Sequence, residues 1–271
     1  METPIYTNFI TELTKQYNRL HKNKLDIEHP HTFTEKIQWL KIYDSSFLKT
    51  FCADKINVHK YYIKILGKDI GVPILKIFNG VNDIKQEDIS KPCAIKCNHG
   101  SGMNIIINDQ HKPTLDVVKQ KITNWLHHDH GASFYESHYS LISPTAFSEQ
   151  YIENMKDVKV FCFNGLPKLY QIDTHLIDNK MNFYDLNWNP CTWLSGTEHP
   201  ANYGILDSQP NKLETIYEYA LKLCKPFKFV RVDFIVSQGN IYGGELTFTP
   251  GAGNQSYLGD GDRRLGDMLD L

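Results

Sequence analysis

The hydrophobic rhythm of this chain changes once, near Val72. Before it, apolar residues recur three and four apart, and the spacing predicts a mainly helical stretch over residues 3–66. Thr7 to Leu20 has helical spacing. Thr32-Phe33-Thr34-Glu35 is a helix start ahead of Ile37, Trp39 and Leu40, and a further helix is expected from Ala53 to Leu66. From Val72 on, short apolar runs predict strands at Ile74–Phe78, Cys93–Cys97, Ile105–Ile107 and Ala146–Ile152, with an amphipathic helix over Leu115–His128. Asp157–Phe163 and Leu166–Asp173 form a hairpin about Asn164-Gly165, a strong turn dipeptide. A helix over Leu213–Cys224 leads into a last hairpin at 228–247. Helices alternate with antiparallel hairpins, without repeats or low-complexity tracts, which is an α+β pattern.

The last hairpin carries the most chemistry. Ser237, Gln238, Gly239 and Asn240 are turn formers between β-branched and aromatic runs, so the chain reverses near Gly239. Opposed residues in a hairpin have a constant sum, so a register centred there sets Asp233 against Glu245 and Arg231 against Thr247, about 5 Å apart on one face. Two carboxylates at that distance call for a cation, and Mg²⁺ commonly binds one or two carboxylates together with phosphate oxygens. A solvated pair of acids beside Arg231 is the competing reading of the hairpin alone. The turn Thr249-Pro250-Gly251-Ala252-Gly253 that follows favours the metal, because its backbone N–H groups can face an anion.

Lys96 lies in an apolar strand just before His99-Gly100-Ser101-Gly102 and needs an anionic partner or a route to water. Beside exposed glycine N–H groups, that partner is expected to be a phosphate, although the segment is no Walker A motif. Glu149-Gln-Tyr-Ile-Glu153 taken alone is an ordinary strand end. His127-His-Asp-His130 at a helix end is expected to be solvated or to bond the last carbonyls, rather than to bind a metal.

Composition narrows the setting. The 271 residues suit one large or two closely packed domains. With 29 basic and 31 acidic residues, scattered, and a formal net charge of −2, no nucleic-acid surface is expected. The sequence shows neither a leader pattern nor a transmembrane run, and six cysteines without a CxxC suit reduced thiols, so a soluble cytoplasmic protein is expected.

Lys96 before a glycine turn, Glu149-Gln-Tyr-Ile, Lys159, Arg231-x-Asp233 and Glu245-x-Thr247-x-x-Pro250-Gly251 follow one another in the order used by ATP-grasp enzymes. Lys36-Ile-Gln-Trp-Leu-Lys41, Asp54-Lys55, Ile95–Gly102, Phe161-Cys-Phe-Asn-Gly165, Asn182-Phe-Tyr-Asp185 and Glu245–Gly253 further resemble the TupA-like ATP-grasp family, named for teichuronopeptide biosynthesis, over about residues 33–269. The resemblance implies an ATP-grasp fold of two α+β lobes. Residues 1–70 would form a short helical segment, 71–152 the small lobe and 153–271 the large lobe with the metal site.

It also implies roles. Lys55 and Lys96 would grip ATP phosphates under a loop formed by His99, Gly100, Ser101 and Gly102. Glu149, Gln150, Tyr151 and Ile152 would form the adenine hinge, Asp157 would hold the ribose, and Lys159 would reach the phosphates. Asp233 and Glu245 would bind Mg²⁺, with Thr247 standing where Asn is common. Arg231, Lys96 and the Gly251 turn would stabilise the acyl-phosphate and tetrahedral intermediates. The implied activity is a carboxylate–amine ligase that joins an amino acid to a uronic acid or peptide carboxylate of a cell-surface polysaccharide, in possible association with polysaccharide assembly enzymes. A sugar kinase on the same fold and a non-catalytic nucleotide- or carbohydrate-binding module are the alternatives.

Overall fold

The structure, a computed structural model, describes residues 4–174, 180–203 and 207–271. Thr3, the first residue of the expected helical stretch, lies outside them. The elements run α1 (Pro4–His21), α2 (Phe33–Tyr43), α3 (Phe47–Ala53), α4 (Val58–Leu66), β1 (Ile74–Phe78), β2 (Cys93–Cys97), β3 (Asn104–Ile107), α5 (Leu115–Leu126), α6 (His130–Phe134), α7 (Ser137–Ser140), β4 (Ala146–Gln150), β5 (Lys156–Phe163), β6 (Leu166–Thr174), β7 (Lys180–Tyr184), α8 (Leu213–Leu223), β8 (Phe229–Ser237), β9 (Asn240–Thr247), the tight turn Pro250–Gly253, and α9 (Gly261–Gly266). Two antiparallel sheets, ordered β1-β4-β2-β3 and β7-β6-β5-β8-β9, give the α+β class.

The chain divides into two compact units. One holds residues 46–155 with 242–245, and the other holds 1–45, 156–241 and 246–271. The boundary at residue 45 runs through the expected 1–70 segment and assigns α1 and α2 to the second unit. Its cause is visible in α2. Thr32 and Glu35 close a capping box, and Asp262 of α9 accepts from Thr34 N–H at 2.9 Å and from its hydroxyl at 2.6 Å. Lys36 Nζ donates to the carbonyls of Gly266 and Leu269, at 3.0 and 2.7 Å, so α2 is tied to the C-terminal segment.

Within the second unit, β5 and β8 pair Lys159 with Asp233, Phe161 with Arg231 and Phe163 with Phe229. One sheet face is therefore apolar at one end and charged at the other. Phe161, Phe163, Leu169, Phe183 and Phe229 form the apolar end and pack with Phe33, Ile37 and Leu40 of α2 and Leu265 of α9. On the opposite face α8 packs against β5, β6 and β8.

In the 46–155 unit, Cys93, Ile95 and Cys97 of β2 enter a core with Val118 and Ile122 of α5, so the two cysteines share a buried face as their spacing predicts. The alternate residue Lys96 is left on the other face. Gly243, grouped here, donates to the Ile70 carbonyl at 2.7 Å, and a Cβ on it would lie 2.7 Å from the Tyr62 ring.

The single helix expected over Ala53–Leu66 is broken. α3 ends at Ala53 and α4 begins at Val58, because the Asp54 carboxylate accepts from the N–H groups of Ile56 and Asn57, at 2.8 and 3.2 Å, and turns the chain between them. No helix among the described residues is long and apolar enough to cross a membrane. All six cysteines are buried free thiols.

Phe33 is 1% exposed and meets Phe163 and Phe229 edge-on, with ring centroids at 5.9 and 5.0 Å. Phe33→Ala should cost about 3–5 kcal/mol in urea unfolding. A loss below about 1 kcal/mol would contradict this packing.

Candidate active site

Charge in the second unit gathers on the open end of the sheet face. Lys159 pairs across the ladder with Gln171 of β6 and Asp233 of β8, placing these residues on one face. The Lys159 ammonium forms an ion pair with Asp173, whose other carboxylate oxygen accepts from Gln171 Nε2 at 2.6 Å. Arg231 Nε and Nη2 grip the two oxygens of Asp233 at 2.7 and 2.5 Å, and Nη2 reaches Thr247 Oγ1 at 3.3 Å. Asp157, half-buried, is two residues from Lys159 on the same strand face. The structure thus brings Lys159, Arg231, Asp233 and Thr247 together and adds Asp173 and Gln171, which the sequence reading did not name.

A shift in register explains the omission. Asn164 and Gly165, with φ of 51° and 73°, form a two-residue turn that opposes Phe163 to Leu166. Counting from it sets Lys159 against Tyr170 and puts Asp173 on the other face. A bulge between Phe161 and Cys162 moves the ladder by one, so Lys159 meets Gln171. In the last hairpin Gln238 and Gly239 have φ of 48° and 76°, and Arg231 Nη2 of β8 reaches Thr247 Oγ1 of β9.

Burial pushes the Asp173 carboxyl up, but the Lys159 ammonium and the Gln171 amide outweigh it and bring the pKa below its ordinary value.

Pro250–Gly253 follows β9 in the same unit. Gly251, Ala252 and Gly253 all have positive φ, at 57°, 54° and 66°. Gly251 is exposed.

The 46–155 unit carries the other set. Lys96 faces Phe147 of β4 in the ladder and Ala94 faces Glu149, so Lys96 and Glu149 share a face and their charges meet at 2.5 Å. The anionic partner that Lys96 has here is thus a carboxylate. Lys55 follows α3, donates to the Gly100 carbonyl at 2.6 Å and pairs with Glu245 at 3.2 Å. Ser101 and Gly102 are exposed, with Gly102 at φ 73°.

His99 serves the loop differently from its neighbours. It is buried, its Nε2 lies 3.1 and 3.3 Å from the carbonyls of Trp125 and His128, and burial lowers its pKa. Its side chain anchors the loop to the end of α5, which leaves backbone and Ser101 as the loop's exposed groups. In the hinge, Gln150 N–H is taken by the Pro73 carbonyl at 2.9 Å, and the Tyr151 hydroxyl accepts from Asn108 at 3.3 Å. Ile152 is half-buried.

Among the described residues no group of three or more His, Cys, Asp or Glu is arranged to hold a metal. The histidine run is used locally, with His127 Nδ1 2.7 Å from the Thr123 carbonyl and His130 paired with Glu136 at 3.5 Å.

The chain belongs to the TupA-like ATP-grasp family, whose profile matches residues 35–270. Among solved structures it is similar to D-alanine–D-alanine ligase from Bacillus anthracis complexed with ATP, at 18% identity and TM-score 0.40, covering 73% of this chain and 54% of that one. It is also similar to L-amino acid ligase from Bacillus licheniformis, at 9% identity and TM-score 0.45, covering 93% and 56%. The chain thus spans about half the length of these structures, and at such scores no argument about activity rests on them. No curated protein matches the chain.

Asp173→Asn should lower stability at pH 7. With its depressed pKa, Asp173 contributes stability that is present above the unfolded carboxyl pKa of about 3.9 and lost as pH falls through the folded value. The variant's stability should therefore fall less steeply than the parent's below about pH 4. Parallel acid limbs in urea titrations of the two proteins would refute the pairing.

Proposed function

We propose that the protein is an ATP- and Mg²⁺-dependent carboxylate–amine ligase. The 46–155 unit corresponds to the small grasp lobe and the remainder to the large lobe. The observation that supports this most directly is the charged row Asp173, Lys159, Asp233 and Arg231 on one sheet face, with both carboxylates buried and both cations half-buried, in a chain of ATP-grasp family. Such a row costs desolvation energy, and apolar strands need none of it for folding alone.

In this reading Lys55, Lys96 and Lys159 neutralise phosphate oxygens, with Ser101 and the backbone of the Gly100–Gly102 loop over them. Lys96 exchanges Glu149 for phosphate. The Gln150 carbonyl and the Ile152 backbone meet adenine, and Asp157 holds the ribose. Asp233, Glu245 and Thr247 supply hard oxygen donors suited to Mg²⁺. Bound there, Mg²⁺ would draw charge from the phosphates during transfer.

The γ-phosphoryl group passes to a substrate carboxylate, and the amine then displaces phosphate from the acyl phosphate. Arg231 and the Gly251 N–H face the oxygen that gains charge. No side chain need act as nucleophile, because positioning and charge neutralisation supply the rate. The acceptor is a uronic acid or peptide carboxylate and the donor an amino acid, in cytoplasmic assembly of a cell-surface polysaccharide alongside other assembly enzymes.

The test is ADP release with Mg²⁺-ATP across uronic acids and amino acids, singly and in pairs. Turnover should require both partners and fall by at least about 10²-fold in Glu245→Gln. Turnover with a hydroxyl acceptor alone would establish a kinase instead, and nucleotide binding without turnover would favour a binding module.

A further inference from the structure

The stretch Lys36–Lys41, part of the family resemblance, has no role in the chemistry above, yet two of its side chains, Gln38 and Lys41, meet at the Gly251 turn. Lys41 is 6% exposed, and its Nζ donates to the Ala252 carbonyl at 2.5 Å. Gln38, 1% exposed, donates to the Gly253 carbonyl at 2.9 Å, with the Ala252 carbonyl at 3.5 Å. The His21 ring stands 3.3 Å from the Gly253 carbonyl. We propose that Lys41 and Gln38 are positioning residues that hold the 250–253 turn in its left-handed form and so keep the Gly251 N–H aligned on the developing oxyanion. This rests on the ligase reading.

Three observations carry the inference. Ala252 keeps a left-handed conformation at φ 54° and ψ 24°, which is unfavourable for a residue with a Cβ and gains from support by its surroundings. Bonds inside the turn, from Ala252 N–H to Thr249 at 2.8 Å and from Asn254 N–H to Gly251 at 2.9 Å, also form in unconstrained turns and do not by themselves select this hand. The donors from α2 add the selection.

Close packing fixes the same geometry. A Cβ on Gly253 would come 2.5 Å from Gln38 Nε2 and 2.8 Å from Ile37 Cγ2, so the turn seats directly on α2. Finally, N–H and C=O groups of a helical turn point in opposite directions. With the Ala252 and Gly253 carbonyls held toward α2, the Gly251 N–H is directed away from α2, and Gly251 is exposed there.

Charge explains the choice of lysine. A buried ammonium is costly unless acceptors meet it, and the Ala252 carbonyl presented by the turn is one such acceptor. Each side thereby offsets the other's cost.

Hydrogen–deuterium exchange of the 249–254 amides, together with steady-state kinetics, tests the proposal on the full chain. Lys41→Met should speed exchange in 249–254 while β5 and β8 keep the parent's protection. It should lower kcat by about 10²-fold, the scale of losing one oxyanion donor, and leave KM for ATP unchanged. Adding Ala252→Gly, which removes the Cβ penalty, should restore part of that kcat. A merely structural role for Lys41 predicts no such rescue, and its absence would overturn the proposal.

Gln38→Ala should show the same pattern at smaller amplitude and decides the matter if Lys41→Met does not fold. Unchanged exchange in 249–254 would also overturn the proposal. If the parent releases no ADP with any acceptor, the ligase reading fails, and the exchange measurement still decides whether α2 holds the turn.

Discussion

A charge set on a sheet face beside an apolar core must be paired before the sheet can pack, and the Lys159–Asp173 and Arg231–Asp233 pairs meet that condition in the larger unit. Everything nearby is arranged around them. The same strand faces that carry these charges carry Phe161, Phe163 and Phe229 a few residues along, under α2 and α9. The apolar end supplies the packing energy and the charged end uses the rigidity. Breaking such a buried pair by removing one partner typically costs about 3–5 kcal/mol, so the charges constrain the register as firmly as the aromatics do.

Exchangeable pairing is the common device in both units. Lys96 holds Glu149, Lys55 holds Glu245, and Arg231 holds Asp233 through both carboxylate oxygens. Each lysine or arginine is oriented by a carboxylate. Under the proposed function, phosphate oxygens would take the place of such carboxylates with little rearrangement of the positioned groups.

The sequence made the turns legible because turn chemistry is local. Asn164-Gly165 was placed from residue type alone and the later reversal was placed near Gly239, and both turns have paired positive φ, at Asn164 and Gly165 and at Gln238 and Gly239. The β6 bulge was not legible, since an extra residue there is decided by twist and packing against neighbouring strands. Asp173 stayed hidden for that reason, while Arg231 and Thr247, expected to face each other, are joined by a side-chain bond. The break at Asp54 was hidden too: its carboxylate bonds N–H groups two and three residues on, a competition that apolar periodicity does not register. His99 read as a loop residue by adjacency to Gly100, whereas its ring belongs to the end of α5.

The central claim is that the protein binds Mg²⁺-ATP through the charged end of the β5–β8 sheet face. Isothermal titration calorimetry of a non-hydrolysable ATP analogue with Mg²⁺ tests it directly, using the parent and Lys159→Met. The account predicts binding by the parent that the substitution weakens. Binding that the substitution leaves unchanged, or no binding by the parent, would contradict it.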